Sequence, residues 1–143
     1  MNLVDSSAWL EYFAGGPNAG YFAAAIKDTK VLLIPSIVLA EVFKRLFLQR
    51  GEDAALEITA AMMQGTMADL ETRTAQLGHE CRLAMADSII LGTARVHDAT
   101  LWTQNADFKG LRKVRSRAQN WFCFWSRRRS LLFAAVHTDP KIG

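Results

Sequence analysis

Short apolar runs that alternate with amphipathic stretches over residues 2–103 constrain this chain more than any other feature. Asn2-Leu3-Val4 reads as a strand that stops at Asp5, and Ser6 or Ser7 is placed to cap a helix over 8–13. Gly15-Gly16-Pro17-Asn18 forms a turn before a second helix over 19–27. A buried strand is predicted at 31–34. Pro35-Ser36 then opens a helix in which Val38, Leu39, Val42, Leu46 and Phe47 recur at helical spacing. Further helices are predicted at 54–63, 71–81 and 87–97, with a strand within 65–70 and another at 99–103. The strands are apolar throughout rather than alternating. That pattern marks a parallel sheet covered by helices on both faces, and the fold class is α/β. In such a sheet ligands and catalytic groups gather at the carboxyl ends of the strands.

At 143 residues the chain is long enough for one domain with a real core. Its longest apolar stretches, 31–40 and 84–94, are interrupted by Pro35 and Asp87 and fall short of the roughly 18 residues that span a bilayer. The N-terminus lacks a basic segment followed by an apolar one, so no membrane association and a cytoplasmic location are expected. Cys81 and Cys123 make neither a disulfide framework nor a zinc site by themselves. The net charge of +3 is uneven. Residues 1–114 carry 11 Lys/Arg against 13 Asp/Glu, whereas residues 115–143 carry six against one. Basicity belongs to the tail and does not make the body a nucleic-acid binder.

The informative residues are carboxylates at strand–helix junctions. Asp5 ends the first strand, where a turn or cap role competes with a functional one. Glu41 is embedded in Ile37-Val38-Leu39-Ala40 and Val42-Phe43, a costly place for a charge unless it is solvated in a cleft, bound to a cation, or paired with Lys44 or Arg45. Asp87 lies between Leu83-Ala84-Met85-Ala86 and Ile89-Ile90-Leu91, where a helix-dipole role competes. Asp107 follows the last strand. Converging on one pocket, such acids would repel one another, and a divalent cation removes the conflict. Oxygen-only ligands favour Mg²⁺ or Mn²⁺ over zinc and suit phosphodiester hydrolysis.

Four segments carry a resemblance: Asn2-Leu3-Val4-Asp5-Ser6-Ser7-Ala8-Trp9-Leu10, Pro35-Ser36-Ile37-Val38-Leu39-Ala40-Glu41-Val42, Leu83-Ala84-Met85-Ala86-Asp87-Ser88-Ile89-Ile90, and Thr100-Leu101-Trp102-Thr103-Gln104-Asn105-Ala106-Asp107-Phe108. In order and spacing they resemble the signature segments of PIN-domain ribonucleases, above all the VapC-type toxins of prokaryotic toxin–antitoxin modules. The resemblance covers residues 1–114, leaving 115–143 as an atypical basic and aromatic tail. It implies a three-layer α/β/α sandwich and Mg²⁺- or Mn²⁺-dependent endoribonuclease activity. Asp5, Glu41 and Asp87 match the family's metal-binding acids. Asp5 and Asp87 would hold the principal metal, Glu41 would be an outer ligand or water-positioning base, and Asp107 would complete the site. Where the family shows an acid two residues after the threonine, this chain has Asn105, which retains a carbonyl oxygen for a metal. Thr103 or Ser6 would orient a carboxylate or water. The resemblance further implies an antitoxin partner and a homodimer. The helix after Pro35, with Phe43, Phe47 and Leu48, would supply a partner groove or else pack into the core.

Candidate phosphate contacts are Arg45, Arg50, Arg95, Lys109, Arg112 and Lys113, and Trp9, Tyr12 and Phe13 stack on bases or fill the core. His79, His97 and His137 form no ligand set, Cys81 reads as a small core residue, and Gly15-Gly16 is not followed by a phosphate-loop Lys. Two rival functions remain. One is a PIN-like module that binds antitoxin or RNA without cleaving, because of Asn105. The other is a phosphatase-like hydrolase of small phosphoesters. The tail holds five of the 14 aromatics and three consecutive arginines. It reads as an RNA or membrane-surface element, as an extra helix, or as a short terminal strand replaced through a frame change or junction, and the abrupt compositional change favours the last.

Overall fold

The computed structural model describes residues 1–69 and 82–119. Five strands, β1 (Asn2–Val4), β2 (Leu32–Pro35), β3 (Thr66–Ala68), β4 (Thr100–Thr103) and β5 (Val114–Ser116), alternate with α1 (Ser6–Phe13), α2 (Ala19–Lys27), α3 (Ser36–Arg50), α4 (Glu52–Met62) and α5 (Met85–Val96). The sheet order is β3-β2-β1-β4-β5 and every neighbouring pair is parallel. Leu3 sits at the centre, in register with Leu33 on one side and Leu101 on the other. Leu3, Val4, Leu33, Ile34 and Leu101 are all buried, as a sheet covered on both faces requires. The result is a three-layer α/β/α sandwich. No helix among the described residues is long and apolar enough to cross a membrane.

Strand order dictates where a site can form. The chain steps outward from β1 to β2 to β3, then returns across β1 to lay down β4 on its other side. Connections leaving β1 and β4 therefore diverge, and a crevice opens between their carboxyl ends. Asp5 follows β1, and Thr103 closes β4.

Local chemistry moves several boundaries from their expected positions. Helix α1 begins at Ser6 rather than Ala8, because Asp5 itself takes the extended cap conformation (φ −70°, ψ 156°) and its carbonyl accepts the Ala8 and Trp9 amides. Val31 is taken up by a 3-10 turn, Thr29–Val31, so β2 starts one residue late and ends on Pro35, at a strand end where a missing N–H does least harm. Helix α5 begins at Met85, which puts Asp87 in its first turn. Trp9 and Phe13 are buried and stacked at 5.4 Å, so they serve the core rather than bases. Phe43 packs against the core and stacks on Phe47, while Phe47 and Leu48 are exposed. A short terminal strand is present: β5 carries the sheet two residues past position 114, pairing Trp102 with Arg115 and Thr103 with Ser116. The helix expected over 71–81, with His79 and Cys81, and the tail from residue 120, with Cys123 and His137, lie outside the described residues.

The α1–α2 turn is built around a buried acid. Glu11, 6% exposed, accepts the Asn18 amide through Oε1 at 2.8 Å. A Cβ on Gly16 would run into that carboxylate. Gly16→Ala is therefore expected to cost about 1–3 kcal/mol by displacing Glu11 and breaking its bond to Asn18, measured as a lowered urea midpoint at unchanged slope.

Candidate functional site

Asp5 is 3% exposed and has no cationic partner among the described residues. Its Oδ2 instead accepts two hydroxyls, from Ser7 at 2.6 Å and from Thr103 at 2.9 Å, and Ser6 approaches Oδ1 at 3.5 Å. Those hydroxyls are themselves fixed. The Thr103 Oγ1 accepts the Asn105 amide at 2.9 Å, and the Ser7 Oγ accepts the Gln104 amide at 3.1 Å. Residues 98 positions apart thus lock one carboxylate oxygen and leave the other lightly engaged. Of the two residues expected to orient a carboxylate, Thr103 is firmly placed and Ser6 only marginally.

Asp87, in the first turn of α5, accepts the Asn105 Nδ2 at 3.1 Å through one carboxylate oxygen. Its carboxyl is held above the ordinary carboxylate range, first by burial and then by the nearby negative charge of Asp5, with smaller pushes from Asp107 and Glu41; the Asn105 bond opposes them. Asn105 spends its own Oδ1, the atom it would offer a metal, on the Asp107 amide at 2.9 Å, capping a 3-10 turn at Ala106–Phe108.

Asp5, Glu41 and Asp87 line one cleft of about 770 Å³, together with Ser6, Ser7, Gln104, Asn105, Lys109 and the segment from Ser116 to Gln119. Glu41 makes no ion pair with Lys44 or Arg45, so the structural account of its charge fails. Asp107 is exposed and outside the lining, and its charge reaches Asp87 without its side chain entering the cleft. Of the six basic residues singled out from sequence, Lys109 lines the cleft, and Lys113 pairs with Asp98 instead. Sequence reasoning missed Arg117, assigned to the tail, and Gln104, hidden inside the last signature segment. Gln104 is 4% exposed, and neither its Oε1 nor its Nε2 has a hydrogen-bond partner among the described residues.

No three His, Cys, Asp or Glu side chains among the described residues are grouped closely enough to hold a metal ion between them. The donor set still fits a hard ion that keeps most of its water, since Mg²⁺ is commonly held through only one or two carboxylates. Asp5 and Asp87 offer such a pair, all-oxygen and mutually repelling.

Two stability changes follow. Because the folded Asp87 carboxyl titrates above its unfolded value, the native state binds more protons there, and ionisation costs stability as pH rises through the folded value. Asp87→Asn is expected to raise the melting temperature at neutral pH without added metal, the gain fading as pH falls through the raised folded value and gone below the unfolded value of 3.8, where the wild-type carboxyl is neutral in both states. Gln104→Met, which keeps the shape and removes the orphaned amide, is expected to add about 1–3 kcal/mol in urea titration.

The chain matches the PIN domain family model over residues 3–114. No curated protein matches it. Among solved structures it is similar to a toxin-antitoxin complex from Klebsiella pneumoniae (24% identity, TM-score 0.67), covering 80% of this chain and 96% of that one. It is also similar to VapC20 from Mycobacterium tuberculosis, a sarcin-ricin loop cleaving toxin (18%, TM-score 0.62, 76% and 92% covered). A third likeness is to VapBC2 from Rickettsia felis bound to a promoter DNA fragment (17%, TM-score 0.62, 83% and 98%). A family match over most of the chain, with acids gathered at the switch point of a parallel sheet, leads to one conclusion: this chain belongs to the PIN domain family.

Proposed function

We propose that this protein is a metal-dependent endoribonuclease acting as the toxin of a toxin–antitoxin module. The observation that carries the reading is the convergence of Asp5, Glu41 and Asp87, from three distant segments, on one cleft where Asp5 raises the Asp87 carboxyl. A toxin-antitoxin complex and a sarcin-ricin loop cleaving toxin among the structural neighbours support it.

Asp5 and Asp87 would hold Mg²⁺ or Mn²⁺. When bound, such an ion activates water and neutralises charge on the attacked phosphodiester. Thr103 and Ser7 keep the Asp5 carboxylate in one orientation, and Asn105 does the same for Asp87. Glu41, half-buried and without an ionic partner among the described residues, would take a proton from water at its carboxylate. Asp107 adds negative potential from outside the cleft, and Asn105 acts as a positioning residue more than a ligand. An antitoxin partner and a homodimer accompany the reading. Exposed Phe47, Leu48, Leu56 and Met63 on and after α3 and α4 are the apolar surface available to them. The activity would be exerted on RNA in the cytoplasm.

One observation favours the non-cleaving alternative: the residue beside Asp87 is a neutral amide that occupies one of its carboxylate lone pairs. Incubating RNA with the protein in Mg²⁺ or Mn²⁺, against EDTA, separates the two readings. Cleavage is expected with either ion and not with EDTA. Asp5→Asn should abolish it in a protein that still folds, and Thr103→Val should lower it about 10–100-fold. RNA left intact by the folded wild-type protein at every metal concentration would overturn the nuclease reading.

A further inference from the structure

An acid-lined cleft has an electrostatic difficulty with RNA. Asp5, Glu41 and Asp87 contribute three negative charges to its lining, and Lys109 and Arg117 contribute two positive ones, a balance of −1. A polyanion enters such a cleft only where cationic side chains remain free to receive it.

Arg117 is free in this sense and is also held in place. Its guanidinium lies 4.6 Å from the centre of the Tyr21 ring, and it has no carboxylate partner among the described residues. Ring stacking engages one face of a guanidinium and leaves its N–H edges available for a planar, two-pronged contact. The platform beneath it is continuous. Tyr21 meets Trp102 edge to face at 5.3 Å, Arg115 lies over Trp102 at 5.1 Å, and the Trp102 indole donates to Asn2 at 3.1 Å. Backbone contacts fix the register as well. The Arg117 amide donates to the Thr103 carbonyl at 3.1 Å, on the residue whose hydroxyl holds Asp5. Next door, the Ala118 carbonyl accepts the Asn18 side chain at 3.0 Å.

We infer that Arg117, stacked on Tyr21, is the phosphate-binding residue of the cleft, holding a backbone phosphate of single-stranded RNA beside Asp5 and Asp87. The inference rests on the nuclease reading and adds the residue that positions the substrate. Arg115, two residues earlier in β5, lies over a ring of the same platform but outside the cleft lining, which makes it a matched control.

The test measures binding of a fluorescein-labelled single-stranded RNA oligonucleotide in EDTA, from about 50 to about 200 mM salt, and cleavage of the same RNA in Mn²⁺. Arg117→Gln is expected to weaken binding about tenfold, to reduce the log–log salt slope by about 0.7, and to raise KM with kcat within about twofold. Arg117→Lys should keep the slope and lose part of the affinity, and Arg115→Gln should stay within about twofold of wild type throughout. Unchanged affinity and slope in Arg117→Gln, or equal losses in Arg115→Gln, overturn the inference even when wild-type protein cleaves. So does a defect confined to binding of an Asp/Glu-rich peptide. Wild-type protein that fails to cleave but binds RNA through Arg117 sinks the nuclease reading and upholds the anion site.

Discussion

The hydrogen bond from Thr103 to Asp5 depends on parallel pairing between β1 and β4, and the site depends on that bond. A buried carboxylate without a cation is costly, and two hydroxyl donors on one oxygen make it tolerable. The second donor, Ser7, is two residues along the same turn, but Thr103 comes from the other side of the crevice. It can arrive there only because the chain crosses back over β1 before laying down β4. Topology and chemistry are therefore the same constraint: the strand jump that opens the crevice also delivers the group that steadies its first acid.

Much of this was legible beforehand. Strong apolar runs such as Leu33–Ile34 and Leu101 leave little choice but a covered parallel sheet, and acids placed after them fall at its carboxyl edge. Asp5, Glu41 and Asp87 announced themselves as charges inside or beside apolar stretches. Less legible were roles set by neighbours in space. Asn105 stood where the family shows an acid and kept a carbonyl oxygen for a metal, yet its side chain bridges Asp87 to the 3-10 turn. Asp107 matched a motif, but the turn it occupies points it to solvent. Trp9 and Phe13 offered rings suited to bases, and burial claimed them for the core.

The pairing of opposing demands recurs through the cleft. Burial and like charge hold the Asp87 carboxyl up, while Asn105 pulls it down. Gln104 leaves two buried polar atoms unanswered, a destabilising feature beside otherwise well-satisfied hydroxyls. Such local conflict is what a binding surface accumulates when its geometry answers to something other than the stability of the folded chain.

Strand β5 ends at Ser116, and the residues just after it form part of the cleft wall. The cleft consequently draws on residues past the stretch that matches the family model. A shortened protein stopped at position 114 would keep every signature acid, but it would forfeit the Arg117 amide that crosses to Thr103 and the Ala118 carbonyl that moors the α1–α2 turn. Through these two contacts the segment 117–118 is tied both to the strand end that steadies Asp5 and to the start of α2, so the position of one cleft wall and that of the opposite turn are set together.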